Sequence, residues 1–149
     1  MRVVVQRVAA AAVVVDNQCT GKIGPGLLVY LGVDAADQAS DLAYLADKVR
    51  HLRVFEDADG KMNLDVGEVG GAVLVVSAFS VCGDARKGRR PSYTDAAPPE
   101  KAAVLYDQFC DVLAATGIDV QRGVFRAYMK VSSVNDGPIC ILLDSKRVF

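Results

Sequence analysis

Two short runs, Leu27-Leu28-Val29-Tyr30-Leu31-Gly32-Val33 and Ala72-Val73-Leu74-Val75-Val76, are apolar at nearly every position. Side chains alternate between the faces of a strand, so a half-exposed strand alternates in polarity. These two do not alternate. They predict strands buried on both faces, and any fold that holds them must cover both.

Two segments have helical spacing. Leu42, Leu45, Val49 and Leu52 make one apolar stripe over Asp37–Arg50, with Asp34 or Asp37 available as a cap. Pro98-Pro99-Glu100 opens a second helix running to about Thr116, with Leu105, Phe109, Val112 and Leu113 as its buried stripe and Gly117 as its stop. Residues 2–15 are rich in valine but pass through Ala9–Ala12, which predicts two strands with a bend. Cys19–Ile23 reads as a short partner strand. Asp57-Ala58-Asp59-Gly60 reads as a hairpin turn between Arg53–Glu56 and Lys61–Leu64. Val120–Phe125, Ala127–Val134 and Ile139–Asp144 complete the sheet, and Asn135-Asp136-Gly137-Pro138 has the chemistry of a turn between the last two. Nothing resembles a linker or a repeat, so residues 1–149 read as one domain.

Composition narrows the function classes. The chain has 149 residues, 52% apolar and 23% charged, with a net charge of −1. That balance excludes a generally basic nucleic-acid coat protein, though it allows one local basic patch. Met1–Arg7 lacks the apolar region of a secretory signal, and no apolar run reaches the length of a membrane span. A cytoplasmic location without a membrane partner is therefore expected. Cys19, Cys82, Cys110 and Cys140 show neither CxxC spacing nor a nearby histidine, so no metal and no disulfide framework is expected. No cofactor is expected either. Gly24-Pro25-Gly26 precedes a strand, whereas a phosphate loop opens a helix. Asp57–Gly60 lacks the glycine position of a calcium loop, where Met62 stands instead.

Three chemistries compete. Ser77 and Ser80 end the second buried strand, where catalytic groups often sit, but no base lies near them in sequence. Cys82 or Cys140 with His51, the single histidine, would need a meeting in space. The third uses few side chains: backbone N–H groups at Phe79, Ser80 and around Gly137 would stabilise an oxyanion. Arg86, Lys87, Arg89 and Arg90 form a basic loop suited either to phosphate groups or simply to solvent.

Ser77-Ala78-Phe79-Ser80 followed by Asn135-Asp136-Gly137-Pro138 resembles the D-aminoacyl-tRNA deacylase family. Gln6-Arg7-Val8, Gly24–Val29, Gly60–Leu64, Arg90-Pro91-Ser92-Tyr93 and Val131-Ser132 agree with that family in order and spacing. The resemblance covers essentially residues 1–144.

The resemblance implies an α/β single domain: mixed β-sheets forming a barrel-like layer, with two main helices packed on one side in α/β/β order. It implies a homodimer with active sites at the subunit interface and aminoacyl-tRNA as substrate, with no DNA partner. The ester of a D-amino acid, or of glycine, on the terminal adenosine would be hydrolysed, and L-aminoacyl esters spared. Ser77, Phe79 and Ser80 match the catalytic positions. Gly137 and Pro138 match a chiral filter that enters the partner's pocket, Arg7 its support, and Ala78, Met129 and Cys140 the substrate-binding positions. Arg86, Lys87, Arg89 and Arg90 become candidates for tRNA phosphates. The family usually carries Ser-Gln-Phe-Thr and Gly-Pro-Val-Thr, so Ala78 lacks an amide and Cys140 a hydroxyl. Those departures keep two further readings open: an editing enzyme retuned to another mischarged amino acid, and a non-catalytic tRNA-binding paralogue.

Overall fold

The computed structural model describes residues 1–148. Phe149, the end of the tail, lies outside them. The elements are β1 (Arg2–Val15), β2 (Gln18–Ile23), β3 (Gly26–Gly32), α1 (Ala39–Arg50), β4 (Phe55–Glu56), β5 (Met62–Leu64), β6 (Ala72–Ser77), a 3₁₀ turn (Phe79–Cys82), α2 (Pro99–Ala114), β7 (Val120–Arg122) and β8 (Lys130–Asp144).

The two apolar runs become β3 and β6, which lie side by side and parallel, with Leu28 opposite Leu74 and Leu31 opposite Ser77. Both faces are covered. Leu27, Val29, Val73 and Val75 pack with Leu45 and Phe109 of the helices. Leu28, Leu74 and Val76 turn the other way and meet Val8, Val13 and Ile23. The sheet runs β2-β1-β3-β6-β7, with β8 on the remaining edge of β1. Its β1–β3 and β1–β8 pairings are antiparallel, and β3–β6 and β6–β7 parallel. Strand β2 folds back on β1 and comes against β6 and β7, so the mixed sheet nearly closes into a barrel. Both helices pack on one side of it.

Three expectations change. Residues 2–15 are one strand, because pairing to β8 continues through the alanines from Ala10↔Val134 to Val14↔Lys130. The bend survives as a shift in facing: Val3 and Val5 point to the helices, whereas Val8, Ala11 and Val13 point into the second layer. Likewise β8 is one strand beginning at Lys130, and Asn135–Pro138 is an excursion from its ladder instead of a turn between two strands.

The helix details also differ. The cap of α1 is not Asp34 or Asp37. The Asp41 carboxylate accepts from the Gln38 N–H at 2.8 Å, while Asp37 is buried against the amino group of Met1. On α2 the buried set is Leu105, Tyr106, Phe109, Cys110 and Leu113, and Val112 is exposed. Gly117, at φ +86°, does follow the end of α2. The Asp57–Gly60 hairpin forms between β4 and β5, and Asn63 donates to Asp57 across it.

Candidate active site

A pocket of ≈ 980 Å³ opens where β6 ends. Strand β6 delivers Ser77 and Ala78 to its wall, and the chain then turns sharply so that Phe79 and Ser80 face the opening. The turn closes with Val81 N–H donating to Ala78 C=O at 3.1 Å. As the first residues of that turn, Phe79 and Ser80 have N–H groups without helical partners. Met129 lines the opposite side. Phe79, 64% exposed, meets Tyr93 edge to face at 4.9 Å between ring centres. The floor is held by Tyr106, whose hydroxyl donates to Val75 C=O at 2.9 Å and ties α2 to β6. Burial pushes the Tyr106 phenol well up, so it stays protonated.

This geometry sorts the competing chemistries. His51 sits at the end of α1, exposed and hydrogen-bonded to Asp47 at 3.1 Å, and it does not line the pocket. Asp47 is an acidic partner one turn back on α1. No base reaches Ser77 or Ser80 from it. Cys82 is buried, and burial pushes its thiol up, away from a reactive thiolate. Polar backbone and hydroxyl groups around Phe79 remain. Among the described residues no three His, Cys, Asp or Glu side chains are placed to hold a metal.

Gly137 and Pro138 lie elsewhere. Gln6 pairs with Cys140 and Val8 with Asn135, so Arg7 alone stands opposite Asp136, Gly137, Pro138 and Ile139. The excess chain swings out of the ladder as an exposed tip. Its Gly137–Pro138 bond is cis, and Gly137 sits at φ +141°. Arg7 is 8% exposed; its Nε donates to Asp136 C=O at 3.0 Å and its Nη1 to Val54 C=O at 2.6 Å. Arg7 lies in the row of Leu27 and Val73, and Ser77 in the row of Leu31 and Val3. That is four residues, or about 13 Å, along the strands, and two strand spacings across, or three from the tip on β8. Within one chain, neither Gly137, Pro138, Arg7 nor Cys140 lines the pocket of Phe79 and Met129.

The sequence profile described as D-Tyr-tRNA(Tyr) deacylase matches residues 4–144. A D-aminoacyl-tRNA deacylase of Anaeromyxobacter dehalogenans is 61% identical over 149 residues, covering all of both chains. The chain belongs to the D-aminoacyl-tRNA deacylase family. The deacylase of Thermotoga petrophila is 54% identical over the same full length. A solved structure of a c-Myc DNA unwinding element binding protein superposes with a TM-score of 0.91 at 36% identity, over 97% of this chain and 98% of that one. That of a probable eukaryotic D-amino acid tRNA deacylase shares the fold, with a TM-score of 0.81 at 20% identity, over 96% and 98%. Members of the family are hydrolases of ester bonds.

Against the deacylase family pattern, the basic loop divides. Asp84 and Ser92 bridge its base, one residue from Tyr93. Arg86 is tied to Asp84 by two side-chain hydrogen bonds at 2.8 and 2.9 Å, which together with the Arg86 N–H hold that carboxyl at about 2. Lys87, Arg89 and Arg90 are exposed, with no ion pair among the described residues. Sequence reasoning missed Asn135, Tyr93 and Tyr106 as individual residues. Asn135 and Tyr93 lay inside motifs that were recognised, so the signal was present without a role. Tyr106 belongs to a helical stripe of which Leu105, Phe109 and Leu113 were read correctly, with Val112 included in its place.

Proposed function

We propose that this deacylase proofreads tRNA by excluding L-amino acids, using a pocket completed by a second copy of the chain. Water attacks the ester carbonyl, the carbonyl oxygen gains charge, and the 3′-oxygen of the terminal adenosine leaves as a hydroxyl. The products are free tRNA and the amino acid. The N–H groups of Phe79 and Ser80 stabilise the developing oxyanion, and the terminal 2′-hydroxyl of the RNA assists proton movement. Ser77, Ala78 and Met129 shape the walls. Lys87, Arg89 and Arg90, with Arg86 less available, hold phosphates of the acceptor end.

The observation that carries the dimer is the separation of Gly137-Pro138 from the Phe79 pocket within one chain. The tip projects from β8, which among the described residues pairs only with β1 and so leaves its outer edge open. In a symmetric dimer each tip reaches the other subunit's pocket, and Arg7 holds it there. Its carbonyl groups then face the substrate α-carbon and leave room for hydrogen but not for an L side chain. Glycyl-tRNA passes the same filter. The enzyme works in the cytoplasm on aminoacyl-tRNA.

Rates on D-tyrosyl-, glycyl- and L-tyrosyl-tRNA, for wild type and Pro138→Ala, test this together with sedimentation. Hydrolysis of the first two substrates and loss of D-over-L preference in the variant are expected. An unchanged preference in Pro138→Ala overturns the filter, and a monomer with full activity overturns the shared site. Ala78 favours one second reading, retuning towards another mischarged amino acid, because the wall lacks the usual amide there. A broader substrate panel decides it. Binding without turnover on every substrate would identify a non-catalytic paralogue.

A further inference from the structure

We infer that Asn135 is a positioning residue for chiral selection, acting through Ile139 on the Gly137-Pro138 tip. The role rests on the filter reading proposed above. Asp136, Gly137, Pro138 and Ile139 leave the β8 ladder together, and only Arg7 stands opposite them. Backbone groups that leave a ladder need other partners where water is partly excluded, as at half-buried Ile139. Asn135 supplies two of them. Its Oδ1 accepts from the Ile139 N–H at 2.9 Å, and its Nδ2 donates to the Ile139 C=O at 3.0 Å. The side-chain amide thus offers Ile139 the donor and acceptor that a neighbouring strand would offer.

This double bond depends on residue type. A short primary amide carries both functions within one plane. Aspartate keeps the acceptor but sets an anionic oxygen against the Ile139 carbonyl. Alanine removes both partners.

The tip is consequently rooted on both sides. Arg7 holds its entry at Asp136, and Asn135 holds its exit at Ile139. Gly137 and Pro138 between them have little means of holding themselves: one has no side chain and the other no N–H. A filter made of backbone oxygens discriminates by their position, so a displacement of about 1 Å is enough to degrade it. Asn135 lies outside the lining of the Phe79 pocket of its own chain, and its effect runs through Ile139.

The experiment measures kcat and KM on D- and L-tyrosyl-tRNA for full-length wild type, Asn135→Ala, Asn135→Asp and Pro138→Ala. Deuterium exchange at the Ile139 amide and the melting temperature are read in parallel. Asn135→Ala is expected to lower the D-over-L ratio of kcat/KM by about tenfold or more, with faster exchange at Ile139. Asn135→Asp falls between it and wild type, and a general loss of stability would instead lower the D and L rates together and leave their ratio unchanged. A wild-type ratio in Asn135→Ala, with the ratio lost in Pro138→Ala, overturns the Asn135 role alone. A wild-type ratio in Pro138→Ala overturns the filter itself. Should Asn135→Ala not fold, the near-isosteric aspartate variant decides, and wild-type selectivity in it overturns the role.

Discussion

Arg7 and Asp136 are joined by the Arg7 Nε donating to the Asp136 carbonyl at 3.0 Å, with the Asp136 carboxylate 3.4 Å away. The same guanidinium donates to Val54 C=O at 2.6 Å. One side chain therefore ties the exposed tip of β8 to the segment that follows α1. Lysine has the charge but lacks the planar fork that spans two acceptors. Arg7→Lys and Arg7→Ala are expected to destabilise the fold by about 2–4 kcal/mol, since charged hydrogen bonds are lost and a carbonyl is left unpaired. Chemical denaturation measures this. A change below about 0.5 kcal/mol would mean that solvent replaces both bonds.

Gly137 tolerates no side chain. A Cβ there would lie 2.7 Å from Ile139 Cγ1 and 2.8 Å from the Ile139 N, at φ +141°. Gly137→Ala must shift the tip, while the core of β3 and β6 lies far from it. Deacylation of D-aminoacyl-tRNA should drop by about tenfold or more, with the melting temperature within a few degrees of wild type. Full activity in Gly137→Ala would show that the tip does not define the site.

The basic loop should act unevenly. Arg89→Ala and Arg90→Ala are each expected to weaken tRNA binding and to reduce the slope of log affinity against log salt by about one. Arg86 already has Asp84 as a partner, so Arg86→Ala should change the slope less. Equal slopes for all three variants would contradict this division.

Alkaline pH should loosen the fold through α2. Burial pushes the Cys110 thiol up to about 11, above the ordinary thiol range. The unfolded chain loses that proton first, so the native state binds more protons between roughly pH 8.5 and 11. Stability from Cys110 is complete below that window and falls as pH rises through it. Denaturation series from pH 8 to 11 should show the decline, and Cys110→Ala should make it shallower, with buried Cys82 and Tyr106 sustaining the remainder. Thiol reagents should modify Cys19 in the native protein, and Cys82 and Cys110 only after unfolding.

Legibility in the sequence followed the range of the forces involved. Strands β3 and β6 were readable because burial on both faces removes alternation, a local signal. The continuity of β1 through Ala9–Ala12 was not, because it depends on pairing with residues more than a hundred positions away. The Asn135–Pro138 segment carries the same residues whether it turns a hairpin or leaves a ladder, so its bulge was invisible without the register. On α2, hydropathy favoured Val112 over Tyr106. The structure prefers the tyrosine because its hydroxyl finds the Val75 carbonyl, a partner that hydropathy does not weigh. In the site, order and spacing brought Ser77–Ser80 and Gly137-Pro138 into one family pattern. Their distance within a single chain became visible only from the pairing of β1, β3 and β6.

If the proposed dimer forms, that distance makes its working unit divisible. A subunit damaged at Gly137 keeps an intact Phe79 pocket, and one damaged at Phe79 keeps an intact tip. Each variant alone should be inactive. Mixed and re-paired, the two should regain activity, because in the hybrid both defects fall in one pocket and leave the other whole. Random pairing makes half of all dimers hybrids with one good site in two, so about a quarter of wild-type activity should return. An editing enzyme built this way can be rescued by its own broken copies.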